Sequence, residues 1–168
     1  MTGGSGTNIC IGGTFSPLHR GHKVLLREAF ARGDHVMVGL TGDEMASRNR
    51  TRKVEGYARR HDVIHRFLEE LSKEFGKSYE IRMIDDGIGF ADDASIDSIV
   101  VSSETESAVE EINSRRREKN LPPLKVFKLD MVLDQGGLKI SSTRIVEGEI
   151  NPDGTVRSEE AGREVEGP

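Results

Sequence analysis

The chain has little cysteine and no long apolar run, and both shortages limit what it can be. Its single cysteine, Cys10, cannot form a disulfide within the chain and lies in an apolar run, as a small buried hydrophobe would. The longest apolar stretches, such as residues 36–40, are too short to cross a bilayer. Residues 1–7 lack the basic and apolar regions of a secretory signal. These features predict a cytoplasmic protein that is not bound to a membrane.

Basic side chains are also fewer than acidic ones, with 24 Lys and Arg against 29 Asp and Glu. The formal net charge is −5, and residues 151–168 contribute −3 of it through five acidic and two basic side chains. The remaining body is close to neutral, which gives no reason to expect a nucleic-acid partner. Residues 151–168 have few apolar side chains and no helical stripe, so we expect an acidic flexible tail. Residues 1–7 are expected to form a flexible N-terminal segment, which leaves residues 8–150 as one domain.

Short runs rich in Val and Ile alternate with longer helical stripes. The predicted strands are residues 8–11, 34–40, 79–84, 98–101 and 124–129. Helical stripes end at Gly33 and Gly76, a third helix is expected near Ser103 with a capping box to Glu106, and a short one ends at Gly148. The alternation predicts an α/β fold in a single domain, with a doubly wound, Rossmann-like sheet of five parallel strands. Ligands of such sheets bind where the strand order reverses, so the loops after the first and fourth strands should share one site.

The loop after the first predicted strand carries the strongest signal. It reads G-G-T-F-S-P-L-H-R-G-H over residues 12–22 and leads into an amphipathic helix. Free N–H groups and the dipole at a helix start attract phosphate, and glycines let the phosphate approach the backbone. His19 and His22 are three residues apart, so they face the same way on the first helical turn. A Walker A loop and the G-x-G-x-x-G fingerprint after the first strand are both absent, which removes the main support for an ATPase or a dehydrogenase.

Two further segments bear on function. The run I-S-S-T-R at residues 140–144 places three hydroxyls and an arginine at a predicted helix start, where they can close over phosphate oxygens. The basic run at residues 48–53 is either a solvated loop or an anchor for a second phosphate. The acidic loop at residues 85–93 lacks the spacing of a calcium loop and is read as solvated.

The two phosphate motifs together resemble those of the nucleotidyltransferase superfamily, which includes adenylyltransferases and cytidylyltransferases. The overall layout is most similar to the archaeal-type phosphopantetheine adenylyltransferases, with support from residues 39–44, 99–105 and 121–124. The resemblance covers roughly residues 8–154. Two positions depart from it: Ser16 stands where the family has Asp, and residues 56–60 keep Tyr57 and Arg60 of P-Y-E-x-R but lack its proline and glutamate.

The resemblance implies transfer of AMP from ATP to 4′-phosphopantetheine, giving dephospho-coenzyme A and pyrophosphate. It implies catalytic roles for His22, His19 and Arg144. The residues that it assigns to ATP are Thr14, Phe15, His22, Ser102, Glu104, Thr105, Ser141, Ser142 and Thr143. For the acceptor it implies Lys53 first and Arg48 second, together with Thr41. A Mg²⁺ ion bound mainly through the ATP phosphates is expected, and the sequence shows no protein ligand set for a metal.

Other readings keep the fold and change the acceptor to nicotinamide mononucleotide, flavin mononucleotide or glycerol phosphate. The G-R-F-Q-P opening typical of the first is absent, and I-S-S-T differs from the threonine-rich motif typical of cytidylyl transfer. A nucleotide-binding regulator without catalysis is a further alternative, although such a protein is expected to lose His22 or Arg144, and both are present. No pattern specifies an oligomeric state.

Overall fold

Five parallel strands form the sheet of this computed structural model, which describes residues 6–48, 52–130 and 132–156. They are β1 (Asn8–Gly13), β2 (His35–Thr41), β3 (Ser78–Ile84), β4 (Ser98–Val101) and β5 (Lys125–Lys128). The order across the sheet is β3-β2-β1-β4-β5, and every pairing is parallel. The chain therefore winds outward from β1 first in one direction and then in the other. The predicted doubly wound sheet is confirmed, and its order reverses between β1 and β4.

The helices cover both faces of this sheet. They are α1 (Arg20–Arg32), α2 (Asp43–Ser47), α3 (Tyr57–Phe75), α4 (Ser107–Glu118) and α5 (Ser142–Val146). Alternate residues of β1 point to opposite faces, so Ile9 and Ile11 pack with α1 and α3, while Cys10 packs with Ile112 of α4. Burial raises the pKa of the Cys10 thiol to about 12, which makes it an inert core residue.

Two segments differ from the sequence-based prediction. The third helix, α4, begins at Ser107 rather than near Ser103, because residues 102–106 form a turn in which the backbone N–H of Ser102 donates to Oγ1 of Thr105. The predicted capping box is wrong, since Glu106 precedes the helix without a side-chain cap. The short helix α2 was not predicted, because five residues are too few to show a helical period.

The ordered structure also continues past the predicted domain end at residue 150. Ile150 pairs with Val156 in a short antiparallel bridge, and the carbonyl of Pro152 accepts from the backbone N–H of Arg20 at the start of α1. Residues 151–156 therefore belong to the folded body, whereas residues 157–168 of the predicted tail, and residues 1–5 of the predicted N-terminal segment, lie outside the described residues. Within the described ranges, no helix has both the length and the apolar content needed to cross a membrane.

Close packing between α1 and β1 yields a stability prediction at Gly33. A Cβ atom at Gly33 would lie 2.2 Å from Cγ2 of Ile9, whereas one at Gly56 would meet nothing within 4 Å. We expect Gly33→Ala to lower the free energy of unfolding by about 1–3 kcal/mol through overpacking. Gly56→Ala is the matched control and should change it by less than about 0.5 kcal/mol. Urea unfolding measures both, and equal losses would contradict this account of the interface.

Candidate active site

A cavity of 540 Å³ opens at the carboxyl ends of β1 and β4, where the strand order reverses. Its wall brings together most of the residues predicted for the site: Thr14, Phe15, His19, His22, Thr41, Ser102, Glu104, Thr105, Ser141, Ser142 and Thr143. The loops after the first and fourth strands do meet there, as the strand pattern predicts. Three predicted residues, Arg144, Lys53 and Arg48, are not part of this wall.

His19 and His22 cap the start of α1 reciprocally. The backbone N–H of His22 donates to Nδ1 of His19, and the backbone N–H of His19 donates to Nδ1 of His22, both at 3.2 Å. The two rings stack with their centroids 3.6 Å apart. Since a neutral imidazole carries one proton and both Nδ1 atoms accept, each ring must carry its proton on Nε2. The cap therefore fixes one tautomer in both residues and leaves each Nε2–H free to donate.

Both histidines are held in the neutral form. Burial lowers the pKa of His22 to about 3, and the charges of His19 and Arg52 act in the same direction. Burial also lowers the pKa of His19 to about 4, where the carboxylate of Glu104 opposes the shift and Lys139 adds to it. In an imidazolium Nδ1 also carries a proton, so it could not accept from the backbone N–H and the cap would break. Near neutral pH the pair consists of two uncharged N–H donors.

Close contacts explain the glycines of this loop. A Cβ atom at Gly21 would lie 2.8 Å from Cε1 of His19, and one at Gly13 would lie 2.9 Å from the ring of Phe15. Phe15 itself has a left-handed backbone, with φ of 51°, and its buried ring meets His22 edge-on with centroids 5.1 Å apart. The phenyl ring thus supports the imidazole from the core side of the loop.

Thr14 and Thr41 join the ends of the two neighbouring strands β1 and β2. Their Oγ1 atoms are 2.9 Å apart, within hydrogen-bond distance. Thr41 is buried, and its Oγ1 also accepts from the guanidinium of Arg60 at 3.2 Å. Both threonines reach the cavity wall, so the hydroxyl of Thr41 lies beside the loop predicted to bind phosphate.

The start of α5 closes the cavity from the other side. Ser141 caps the helix by accepting the backbone N–H of Arg144 at 3.2 Å, and the hydroxyl of Ser142 donates to the carbonyl of Pro17 at 3.2 Å. The second bond fastens this segment directly to the β1–α1 loop. The two motifs, 125 residues apart in the chain between Pro17 and Ser142, therefore form one wall.

Arg144 is placed differently from the prediction. Its guanidinium donates to the carbonyl of Lys139 at 2.6 Å and forms ion pairs with Asp134 at 2.7 Å and with Glu149 at 2.8 Å. It is absent from the cavity wall, because these partners hold it among residues 134–149. The arginine stabilises the segment that carries the serines, and its contact with phosphate stays a prediction.

The loop after β4 contributes hydroxyl and carboxylate groups. Ser102 Oγ accepts the backbone N–H of Glu104 at 3.3 Å, so the loop is shaped by its own side chains. Glu104 forms an ion pair with Lys139 and is the one carboxylate among the described residues of the wall. Lys139 had no signal in the sequence, since it precedes the I-S-S-T-R motif as an ordinary solvated lysine would.

The basic run at residues 48–53 presents Arg52 to the cavity. Arg52 lies in the wall, and its charge contributes to the lowered pKa of His22. Lys53 is exposed outside the wall, and Arg48 is exposed and 3.8 Å from Glu44. The sequence identified the run, but a loop gives no period from which the inward-facing member can be chosen. Residues 49–51 lie outside the described ranges.

The side chains of the wall provide few ligands for the expected magnesium ion. No group of three or more His, Cys, Asp or Glu side chains that could hold a metal occurs in the described parts of the chain. The carboxylate of Glu104 is already paired with Lys139. This wall does not fit a metal held by protein ligands, so Mg²⁺ remains a proposal for an ion that enters on the phosphates of its nucleotide.

The reciprocal cap predicts a pH-dependent stability. Unfolded histidines take up protons near pH 6.5, whereas His19 and His22 in the folded protein have pKa values of about 4 and about 3. The unfolded state then binds more protons below pH 6.5, so the free energy of unfolding falls with falling pH by about 1.4 kcal/mol per unit for each histidine. Asparagine at position 19 can still cap α1 but does not titrate. In His19→Asn the free energy of unfolding should therefore fall less steeply with falling pH than in the wild type.

Urea unfolding of the wild type and of His19→Asn at several pH values between about 7 and about 5 measures this difference. His61→Asn, on α3 and outside the cavity wall, is the matched control and should keep the wild-type slope. Equal slopes in the wild type and in His19→Asn would contradict the neutral cap.

The comparisons with known proteins agree with this site. The cytidylyltransferase-like family model matches residues 10–148. A phosphopantetheine adenylyltransferase of Methanothermobacter thermautotrophicus is 40% identical over 149 residues, which are 88% of this chain and 88% of the relative. A solved structure of a protein with unknown function from Archaeoglobus fulgidus has a TM-score of 0.64 at 33% identity, covering 74% of this chain and 99% of that one.

This chain matches less than half of a longer relative. The bifunctional phosphopantetheine adenylyltransferase/NTP phosphatase of Thermoplasma volcanium is 39% identical over 145 residues, and the match takes in 86% of this chain but only 43% of that protein. The family model covers both phosphate motifs and every residue of the cavity wall, and the match to the Methanothermobacter protein takes in 88% of each chain. The chain therefore belongs to the cytidylyltransferase-like family and, within it, to the archaeal-type phosphopantetheine adenylyltransferases.

Proposed function

We propose that the chain transfers AMP from ATP to 4′-phosphopantetheine and releases pyrophosphate, in the biosynthesis of coenzyme A. The observation that carries the proposal is the junction of two phosphate-binding motifs in one wall, where Ser142 of α5 donates to Pro17 of the β1–α1 loop. The relatives of similar length are named for this reaction, which supports the choice of donor and acceptor.

The chemistry needs positioned donors more than a strong base. The acceptor phosphate is already an anionic nucleophile near neutral pH, so the protein must align two anions and stabilise the charge that develops. His19, His22 and Thr14 line the cavity on one side, and the residues at the start of α5 line it on the other. In this proposal His22 donates to the α-phosphate as the bond to pyrophosphate breaks.

The cavity extends to both sides of β1, which suits two substrates. Ser102, Thr105 and Ala108 border the side next to β4 and α4, where we place adenosine. Arg52 and Met45 border the side next to β2, where we place the acceptor with its phosphate near Arg52. Magnesium is proposed to arrive as part of the Mg-ATP substrate.

The first test is pyrophosphate release from Mg-ATP and, separately, from CTP, with 4′-phosphopantetheine or a rival acceptor. We expect release with ATP and 4′-phosphopantetheine, and little with nicotinamide mononucleotide, flavin mononucleotide or glycerol phosphate. Release with another pair would replace the proposed acceptor or donor. A folded sample that binds ATP and releases no pyrophosphate with any acceptor would favour the regulatory alternative.

Replacing His22 should slow the chemical step. We expect His22→Ala to lower kcat at least ~100-fold, because one preorganised donor to developing charge is lost. His61→Ala, whose ring lies on α3 outside the wall, is the matched control and should keep kcat. A normal kcat in a folded His22→Ala sample would remove His22 from the mechanism.

The choice between Arg52 and Lys53 can be made by neighbouring substitutions. Arg52→Gln should raise the KM for 4′-phosphopantetheine about tenfold or more, since a charge-assisted contact to phosphate is lost. Lys53→Gln, one residue away and outside the wall, should leave that KM close to the wild-type value. Steady-state kinetics with the acceptor varied at saturating ATP gives both values. A larger effect at Lys53 would reverse the assignment.

A further inference from the structure

Arg60 is a fully buried cation directly behind the cavity wall. Its side chain lies in the first turn of α3 and is 1% exposed. The guanidinium donates to the carbonyl of Glu55 at 2.8 Å, to the carbonyl of Thr14 at 3.4 Å and to Oγ1 of Thr41 at 3.2 Å. Its charge is balanced by Asp43 at 3.1 Å. One side chain thus connects the β1 loop, the end of β2, and the starts of α2 and α3.

The bond to Thr41 has a direction that cannot be reversed. A guanidinium has donors only, so Oγ1 of Thr41 must accept from Arg60. The hydroxyl of Thr41 keeps one proton, and its neighbour at 2.9 Å is Oγ1 of Thr14. A hydroxyl that accepts from a cation becomes a better donor, because hydrogen bonds in a chain polarise one another.

We propose that Arg60 is a positioning residue that directs the hydroxyl chain Arg60 → Thr41 → Thr14 toward the nucleotide phosphates. Thr41 accepts from Arg60 and donates to Thr14. Thr14 then has its own proton free, and it is the member of the chain that belongs to the phosphate loop of β1. The buried positive charge acts on the phosphates through two neutral hydroxyls and makes no direct contact with them. This inference rests on the proposed function for the identity of the nucleotide.

The chain also contains a matched arginine that lacks this connection. Arg116 of α4 is 2% exposed and donates to the carbonyls of Ala91, Asp93, Ile96 and Pro122 at 2.7–3.1 Å. It is as buried as Arg60 and has as many acceptors, but it is not part of the cavity wall and these four acceptors are all backbone carbonyls. Arg116→Lys therefore controls for the loss of a buried guanidinium as such.

The experiment measures ATP affinity by calorimetry, and ATP KM and kcat by pyrophosphate release, in Arg60→Lys, Thr41→Val and the double variant. We expect each single variant to weaken ATP binding about tenfold, because the same donor is lost. The double variant should bind ATP no more weakly than the single variant with the lower affinity, since both changes interrupt the same chain of hydrogen bonds. Arg116→Lys should lose thermal stability and keep the wild-type ATP affinity.

Thr41→Ser adds a readout that does not require replacing the arginine. Serine keeps the hydroxyl, so this variant should recover most of the affinity that Thr41→Val loses, even if Arg60→Lys fails to fold. Additive losses in the double variant, or an equal loss of ATP affinity in Arg116→Lys, would overturn the inference. So would equal affinities in Thr41→Val and Thr41→Ser. If no acceptor supports pyrophosphate release but ATP affinity follows the expected pattern, the proposed function fails and the role of Arg60 stands.

Discussion

Two hydrogen bonds exchanged between His19 and His22 hold the functional end of this protein together. They satisfy the first free N–H groups of α1, fix both imidazole tautomers and stack the rings at 3.6 Å. The glycine between them is required because a Cβ there would meet the ring of His19. A helix cap that serves stability elsewhere in proteins here also lines a cavity with two neutral imidazoles. Stability and the binding of anions are therefore coupled through the same pair of side chains.

The distribution of charge around the cavity follows from this cap. The imidazoles are neutral, so formal positive charge at the site must come from other residues. Arg144 is held by Asp134 and Glu149, and Arg60 lies behind the wall. Arg52 lies in the wall of the cavity, where its charge can act on a substrate phosphate, and Lys139 is paired with Glu104. A site built mainly from neutral, preorganised donors stabilises charge without the cost of burying many cations.

Local patterns in the sequence predicted the strands, the order of the elements and the two phosphate motifs. Those features depend on short-range periodicity and on glycines at helix ends, which are visible along the chain. The direction in which an individual long side chain points cannot be predicted from these patterns, because it depends on contacts between segments that are distant in the chain. Arg144 follows three hydroxyls in a phosphate motif, yet its guanidinium forms ion pairs with acidic residues on both sides of it in the chain, Asp134 and Glu149.

In the basic loop, too, the sequence does not show which side chain faces the cavity. The family resemblance favours Lys53 for the acceptor, whereas the folded loop places Arg52 and not Lys53 in the wall. Arg60 and Arg116 are a further case, since nothing in the pattern indicates that two arginines of solvated-looking helices are completely buried. Hydrogen bonds to backbone carbonyls distant in the chain, Thr14 for Arg60 and Ala91 and Ile96 for Arg116, help to make their burial possible.

The most direct test of the account is the protonation state of the two histidine rings in the free protein. Side-chain ¹⁵N NMR near neutral pH, with His19 and His22 assigned by single substitutions, distinguishes the two tautomers from the imidazolium. The account predicts that both rings are neutral with the proton on Nε2, and that both remain so well below pH 6.5. A proton on Nδ1 of either ring, or a charged imidazolium near neutral pH, would contradict the reciprocal cap and the donor geometry built on it.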